Sequence, residues 1–384
     1  MNKMTRRKML LASAATSVTI LTTRRLTAAS ASNEEAITKI SLQDEFYCGW
    51  PTVARKPDGE LLVVYSGGRE SHVCPFGRVE LIRSQDNGET WSWPQVLLDG
   101  PIDDRDAGVL VTKKGSVLVT TFTSLAYESI LNDAISKKNW DADRLARWQA
   151  VQGRISPEQR KNELGVWMIR AADGGVRWSE RYDCIANSPH GPVQLKDGRL
   201  LYAGKKLWSG DGEIGVCISE DDGQSWSWLA EIPTREGDKH QEYHELHAVE
   251  AGNGRLICHI RNHNQKNSGE ILQTESNDGG KTWSTPYEIG VWGLPSFLLR
   301  LNDGRLLMSY GYRRQPYGNQ ARISDDFGQT WSQPITISDD GASGDLGYPS
   351  TVQLEDSSLL TVWYELPKDS PRAVLRQRKW KLGD

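Results

Sequence analysis

The chain is patterned as a succession of short apolar runs, each introduced by a tight turn. Lys56-Pro57-Asp58-Gly59 leads into Glu60-Leu61-Leu62-Val63-Val64-Tyr65, and the unit recurs at Lys113-Lys114-Gly115, Lys196-Asp197-Gly198, Gly252-Asn253-Gly254, Asn302-Asp303-Gly304 and, degenerately, Glu355-Asp356-Ser357. Asp-Gly and Asn-Gly between β-rich runs are strong hairpin signals, because they accept the left-handed backbone of a tight turn. Six such units predict six small antiparallel sheets.

A second repeat runs in step with the first. The octet Ser84-Gln85-Asp86-Asn87-Gly88-Glu89-Thr90-Trp91 returns at 171–178, 219–226, 276–283 and 324–331. Its aspartates, Asp86, Asp173, Asp221, Asp278 and Asp326, are 87, 48, 57 and 48 residues apart, one regular period with one long interruption. Four-stranded units of this length cannot bury both faces alone, whereas radial stacking buries each sheet between its neighbours. The reading is all-β: a six-bladed β-propeller from about residue 36 to 384. The sixth unit lacks the octet, so a strand near 37–46 is expected to complete the last blade and close the ring. The interruption, about 126–163, spaces apolar residues three and four apart among Ala, Leu, Lys, Glu and Arg, which predicts a short helical insertion. It serves either as a lid or as a contact surface.

With 38% hydrophobic and 25% charged residues the chain is ordinary globular material. Its formal charge is -4, and the first 32 residues carry six basic side chains and no acidic one, so the remainder is more acidic still. That excess argues against nucleic acid or an anionic membrane as partner, and any anionic ligand needs a local arginine cluster. Thr5-Arg6-Arg7-Lys8 before the mildly apolar run 9–21 and the small residues 28–32 has the layout of a twin-arginine-like signal peptide over residues 1–32. The run is too short and too rich in Ser and Thr to span a bilayer. A periplasmic or secreted protein without a membrane span is expected. Five scattered cysteines, with no CxxC pair, indicate neither a zinc site nor a disulfide framework, although one bridge between Cys48 and Cys74 is compatible with an oxidising compartment.

The octet Ser-x-Asp-x-Gly-x-Thr-Trp is the Asp-box, and its fivefold recurrence on a six-bladed plan makes the chain resemble the sialidase (neuraminidase) superfamily of Asp-box, or BNR-repeat, proteins. The octet aspartates are assigned to structure: Asp, Gly and a hydroxyl suit a tight turn, and Trp packs between sheets. Chemistry is expected instead where strands meet the axis.

The resemblance implies a site there. Tyr348, in Asp345-Leu346-Gly347-Tyr348-Pro349, looks like the family's nucleophile, and Val362-Trp363-Tyr364-Glu365 like its Tyr-Glu strand end. Glu245 and Arg261, sixteen residues apart, are similar in spacing to the glutamate that assists the nucleophile and the second arginine of the carboxylate triad. Arg313, eleven residues before Ser324, falls where the third arginine does, and Arg69 ends its strand as a sialidase arginine does. The run Asp103-Asp104-Arg105-Asp106 lies where sialidases carry the acid that protonates the leaving group. Four adjacent charges usually mark a solvated loop, and the choice between Asp104 and Asp106 stays open.

His190, between Pro189 and Gly191 at a strand entrance, is read as a hydrogen-bonding partner for sugar hydroxyls, against the commoner structural role of a lone histidine. Strand alternation places Glu245 and His247 on one face. Trp292 offers a platform for a sugar ring or packs between blades. The His-rich stretch of the fourth unit has no tight metal-ligand motif, so neither metal nor other cofactor is expected.

A departure stands beside the match. Sialidases carry the first triad arginine in a Phe/Tyr-Arg-Ile-Pro motif, and in Cys48-Gly49-Trp50-Pro51 its place is taken by Gly49, which leaves Glu365 without the arginine it would steady. The expected function is a metal-independent exo-acting glycoside hydrolase removing a terminal acidic sugar, sialic acid or a related one, from glycans. The alternatives are an exo-glycosidase for another terminal sugar, such as a uronate or deoxyhexose, and a non-catalytic glycan-binding propeller.

Overall fold

Each repeated turn joins the first two strands of a sheet. At the first, Lys56 N–H donates to Glu60 O at 2.8 Å, and Gly59 lies in the left-handed region at φ 94°. Gly115, Gly198, Gly254 and Gly304 repeat that backbone, and at the degenerate turn Ser357 adopts it at φ 66°. A Cβ there costs about 1–2 kcal/mol, so the last hairpin keeps its shape against its own sequence.

The computed structural model describes residues 36–383, so the expected signal segment lies outside the described residues. Six four-stranded antiparallel sheets follow one another along the chain as the blades of a propeller. Their inner strands are Tyr47–Arg55, Asp103–Val111, Val193–Gln194, Tyr243–Glu250, Ser296–Arg300 and Leu346–Gln353, numbered here as blades 1 to 6. Thr38–Lys39 pairs antiparallel with Val374–Trp380, so the outermost strand of blade 6 comes from the N-terminal side and closes the ring, as the missing octet predicts. The core is divided into wedges. Six clusters of buried apolar side chains each lie between two adjacent blades, as with Val64, Leu81, Val109 and Val119 between blades 1 and 2. Among the described residues no helix is long and apolar enough to cross a membrane.

The octets fold as turns between the third and fourth strands. Asp86 accepts from Thr90 N–H at 2.9 Å and from the Ser84 and Thr90 hydroxyls, and Asp221, Asp278 and Asp326 repeat the arrangement. The Trp91 indole donates to Gln377 of blade 6 and the Trp331 indole to Gln273 of blade 4, so each pins its blade to the preceding one. All five cysteines are buried free thiols. The Cys48–Cys74 bridge is not formed, and Cys74 Sγ instead accepts from Glu70 N–H at 3.4 Å.

The long interruption is three helices within blade 2: α1 (Ala126–Lys137), α2 (Ala142–Gln152) and α3 (Pro157–Asn162). Asp141 caps α2, and Ser156 with Gln159 closes a capping box on α3. Tyr127, Leu131 and Trp148 bury against Cys74 and Ile102. Glu70 accepts from the Trp148 indole at 2.5 Å, from Arg147 at 2.6 Å and from Arg144 at 3.2 Å. The insertion is thereby locked to the loop that follows the second strand of blade 1.

Candidate active site

Four inner strands abandon β-periodicity at one equivalent point. Their pairing register shifts, and the residue at the shift has a positive φ: Trp50 at 56°, Asp106 at 44°, Glu245 at 42° and Tyr348 at 53°. Such a backbone is uncommon for residues with a Cβ and is held only where the surroundings over-determine it. The kink breaks alternation and turns these side chains together at the axial end of their blades.

Two of them, Glu245 and Tyr348, meet around one arginine, and the charge of Asp106 is felt beside them. The Tyr348 hydroxyl donates to one carboxylate oxygen of Glu245, and Arg261 Nη1 donates to the other at 2.5 Å and to the Tyr348 oxygen at 3.2 Å. Burial raises the pKa of Glu245, but the Arg261 guanidinium and the Tyr348 hydroxyl outweigh it and hold the carboxyl at about 2. Burial and the Glu245 charge push the Tyr348 phenol well above its ordinary range. Asp106, 7% exposed, is raised to about 7 by burial, with the negative Glu245 adding to the effect and Arg105 opposing it, and its Oδ1 has no hydrogen-bond partner within the protein. Two carboxyls of one cluster thus favour opposite protonation states near neutral pH, the separation expected of an acid and a base.

Arg313 completes the cationic side. Its Nε donates to Leu346 O at 2.9 Å, and its guanidinium lies 5.9 Å from the Tyr348 ring centroid. His190 approaches the Tyr348 ring at 6.2 Å. It is buried, neutral because burial lowers its pKa to about 3, and neither ring nitrogen has a protein partner.

The structure separates other expected residues from this centre. Asp104 faces away: its Oδ2 accepts from Gly100 N–H at 2.6 Å, so of the two aspartates only Asp106 is turned into this cluster. Arg69 is fully buried and pairs with Asp103, donating to its two oxygens at 2.7 and 3.0 Å, with Ser66 and backbone carbonyls taking its other N–H groups. It has no donor left for a ligand. His247 does not share a face with Glu245, because the kink lies between them; it stacks on Phe297 at 4.5 Å and its Nδ1 accepts from Leu298 N–H at 2.9 Å. With His190 it lines an axial cavity of about 410 Å³, walled by residues of all six inner strands. Glu365 is not left unpaired: strand alternation points it away from the axis, where it pairs with Arg376 at 2.7 Å and accepts from the Trp363 indole at 2.8 Å. Trp292 is bonded to Ser268 O at 3.2 Å and covered by Arg314 at 3.9 Å, contacts that do not reach Tyr348.

Several neighbours escaped sequence reasoning. Trp50 fills the space beside Tyr348, 6.4 Å between ring centroids, with the guanidinium carbons of Arg69 and Arg105 at 4.9 and 4.8 Å over its ring. Next to it Asp345 accepts from the Tyr47 hydroxyl at 2.9 Å and the Tyr364 hydroxyl at 3.2 Å and pairs with His72 at 3.0 Å. The signal for Trp50 was in the chain: Gly49-Trp50-Pro51-Thr52 repeats as Gly347-Tyr348-Pro349-Ser350. No local signal marks His72, which the folded loop brings 273 residues along the chain to Asp345. The fold also brings Glu242, His244 and His263 together, a grouping that their spacing does not advertise.

Comparison with known proteins follows this geometry. The BNR repeat-like domain model matches residues 138–361, more than half of the chain. A sialidase of Clostridium perfringens is 23% identical over 289 residues, covering 73% of this chain and 59% of its own length. The chain spans about half the length of the known sialidases it matches. Among solved structures, a protein of unknown function from Dyadobacter fermentans superposes with a TM-score of 0.73 at 22% identity, covering 91% of this chain and 99% of its own. The NanB sialidase of Streptococcus pneumoniae gives 0.64 at 16% identity, covering 91% and 70%. The chain belongs to the BNR repeat-like domain family, within the sialidase superfamily.

Proposed function

We propose that this protein is an exo-acting glycoside hydrolase of the sialidase type, which removes a terminal acidic sugar with retention through a tyrosyl intermediate. The observation that carries the reading is the hydrogen-bonded triangle of Tyr348, Glu245 and Arg261 beside a carboxyl raised to about 7. A sugar with a carboxylate at its anomeric carbon repels a carboxylate nucleophile, whereas a neutral phenol approaches freely, a departure from the usual two-carboxylate arrangement. Tyr348 attacks the anomeric carbon as Glu245 takes the phenolic proton, and Asp106 gives its proton to the departing glycosidic oxygen. Asp106, now a base, then activates the water that breaks the sugar–tyrosine bond. Arg261 and Arg313 hold the substrate carboxylate through charge-assisted bonds.

A second reading, hydrolysis of a different terminal sugar, rests on one specific feature. With Gly49 in place of the first arginine and Arg69 bound to Asp103, blade 1 offers the centre no free guanidinium, and a carboxylate, Asp345, stands beside Tyr47 and Trp50. A panel of terminal-sugar glycosides, assayed with the purified chain, decides. Release of sialic acid, reduced by about 10³-fold or more in Tyr348→Phe, supports the first reading. Turnover of another glycoside alone selects the second. Saturable glycan binding without any turnover refutes the enzyme.

A further inference from the structure

At the edge of the Tyr348 centre, blade 4 presents three ligand-bearing side chains that the hydrolytic mechanism does not use. Glu242 precedes the inner strand, His244 lies two residues on, and His263 follows the neighbouring strand, its N–H donating to Glu242 O at 2.9 Å. One ligand atom from each lies within 4.8 Å of the others, and the two imidazole rings are 4.8 Å apart between centroids. We propose that Glu242, His244 and His263 form a binding site for a divalent transition-metal ion of the zinc class.

The chemistry of the set favours such an ion. Two imidazoles and one carboxylate are a recurrent zinc donor set, with room for water or another ligand at the fourth position, whereas calcium and magnesium prefer all-oxygen cages. The cations facing the cluster are already engaged. Lys205 donates to Gln241 O, and Arg261 is paired with Glu245.

The site is coupled to the reaction centre through one ring. His263 Nε2 accepts from Arg261 Nε at 2.8 Å. A neutral imidazole has a single lone pair, so the ring cannot serve Arg261 and a metal together. Metal binding therefore releases Arg261 from His263 and disturbs the guanidinium that holds both Glu245 and Tyr348. Zinc is thus expected to inhibit; this consequence rests on the proposed hydrolysis, whereas the site itself does not.

The test titrates zinc chloride into the untagged chain by calorimetry, with cobalt absorption as a spectroscopic reporter of nitrogen ligation and no glycoside present. One zinc per chain is expected, with affinity falling by about tenfold or more in His244→Ala and in His263→Ala, and unchanged in His240→Ala. Glu242→Gln, which keeps the side-chain volume, reads ligation should either alanine change lower the thermal unfolding midpoint. Zinc binding no tighter in the wild type than in the His244→Ala, His263→Ala double variant overturns the proposal. Zinc inhibition of glycoside turnover that persists unchanged in that double variant overturns the coupling of the site to Arg261.

Discussion

Asp106→Asn tests the electrostatics of the centre through stability, independently of any substrate. Asparagine keeps the shape of the side chain and tolerates a left-handed backbone, so the φ of 44° is no obstacle. Burial raises the Asp106 carboxyl from 3.8 to about 7. The folded state therefore retains a proton that the unfolded chain releases between those values. Stability is unaffected by this group below the unfolded pKa, is lost progressively as pH rises, and is fully lost above the folded pKa, by about 4 kcal/mol at the ceiling. In urea unfolding, Asp106→Asn and the wild type should agree within about 0.5 kcal/mol near pH 4, and the variant should be more stable by about 2–4 kcal/mol near pH 8. A difference that does not change with pH would show that Asp106 titrates as an ordinary carboxylate. It could not then be a proton donor near neutrality, and the assignment of the acid would fall.

Other substitutions probe the supports of the site. Glu70→Ala removes the acceptor shared by Trp148, Arg147 and Arg144, a loss of about 2 kcal/mol in docking; limited proteolysis within 126–163 should accelerate by about 30-fold, and an unchanged rate would mean that the insertion is held elsewhere. At Gly108 an added Cβ would lie 2.4 Å from Gly191 N and 2.6 Å from Gly191 Cα, backbone that cannot step aside. Gly108→Ala should cost about 1–3 kcal/mol in urea unfolding, and wild-type stability would refute the close approach of blades 2 and 3 that seats His190.

The architecture was legible because it is periodic. Six turn-and-strand units and five octets announce six blades, and the octet missing from the last unit announces closure by the N-terminal strand. The site was legible only where a residue's position follows from that period. Tyr348, Glu245, Arg261 and Arg313 come together at strand entrances and exits, as the blade pattern requires. His247 was misplaced because alternation was extended through a kink, and alternation fails across a register shift; Asp104 and Asp106 stayed indistinguishable because the kink that separates them has no local signal. For Arg69 and Glu365 the partners decide. Asp103 and Arg376 occupy their charges, and neither pairing follows from local sequence, since each requires two strands to be in register.

The kinks also explain why the chemistry sits where it does. A left-handed residue with a Cβ is unfavourable, so four of them at one level of the barrel need a common support. Hydroxyls from neighbouring strands supply it by gripping carbonyls at or next to the kinks or the matching strand entrance: Ser309 holds Pro349 O at 3.2 Å, Ser188 holds Leu246 O, Thr52 holds Pro189 O at 3.1 Å and Ser66 holds Asp104 O at 2.8 Å. Each grip crosses from one blade to another, so the position of Tyr348 or Glu245 is set by ring closure and not by its own hairpin. In the proposed hydrolysis this device orients the acid, the base and the nucleophile before any ligand arrives, which is what electrostatic catalysis demands. In blade 1 the same device aims an indole, Trp50, which lends the centre shape and a surface for two guanidiniums but no proton. The blade that would carry the first arginine has thus kept the geometry of the site while changing its chemistry. If the proposed hydrolysis holds, this change bears on which sugar is held rather than on how a bond is broken.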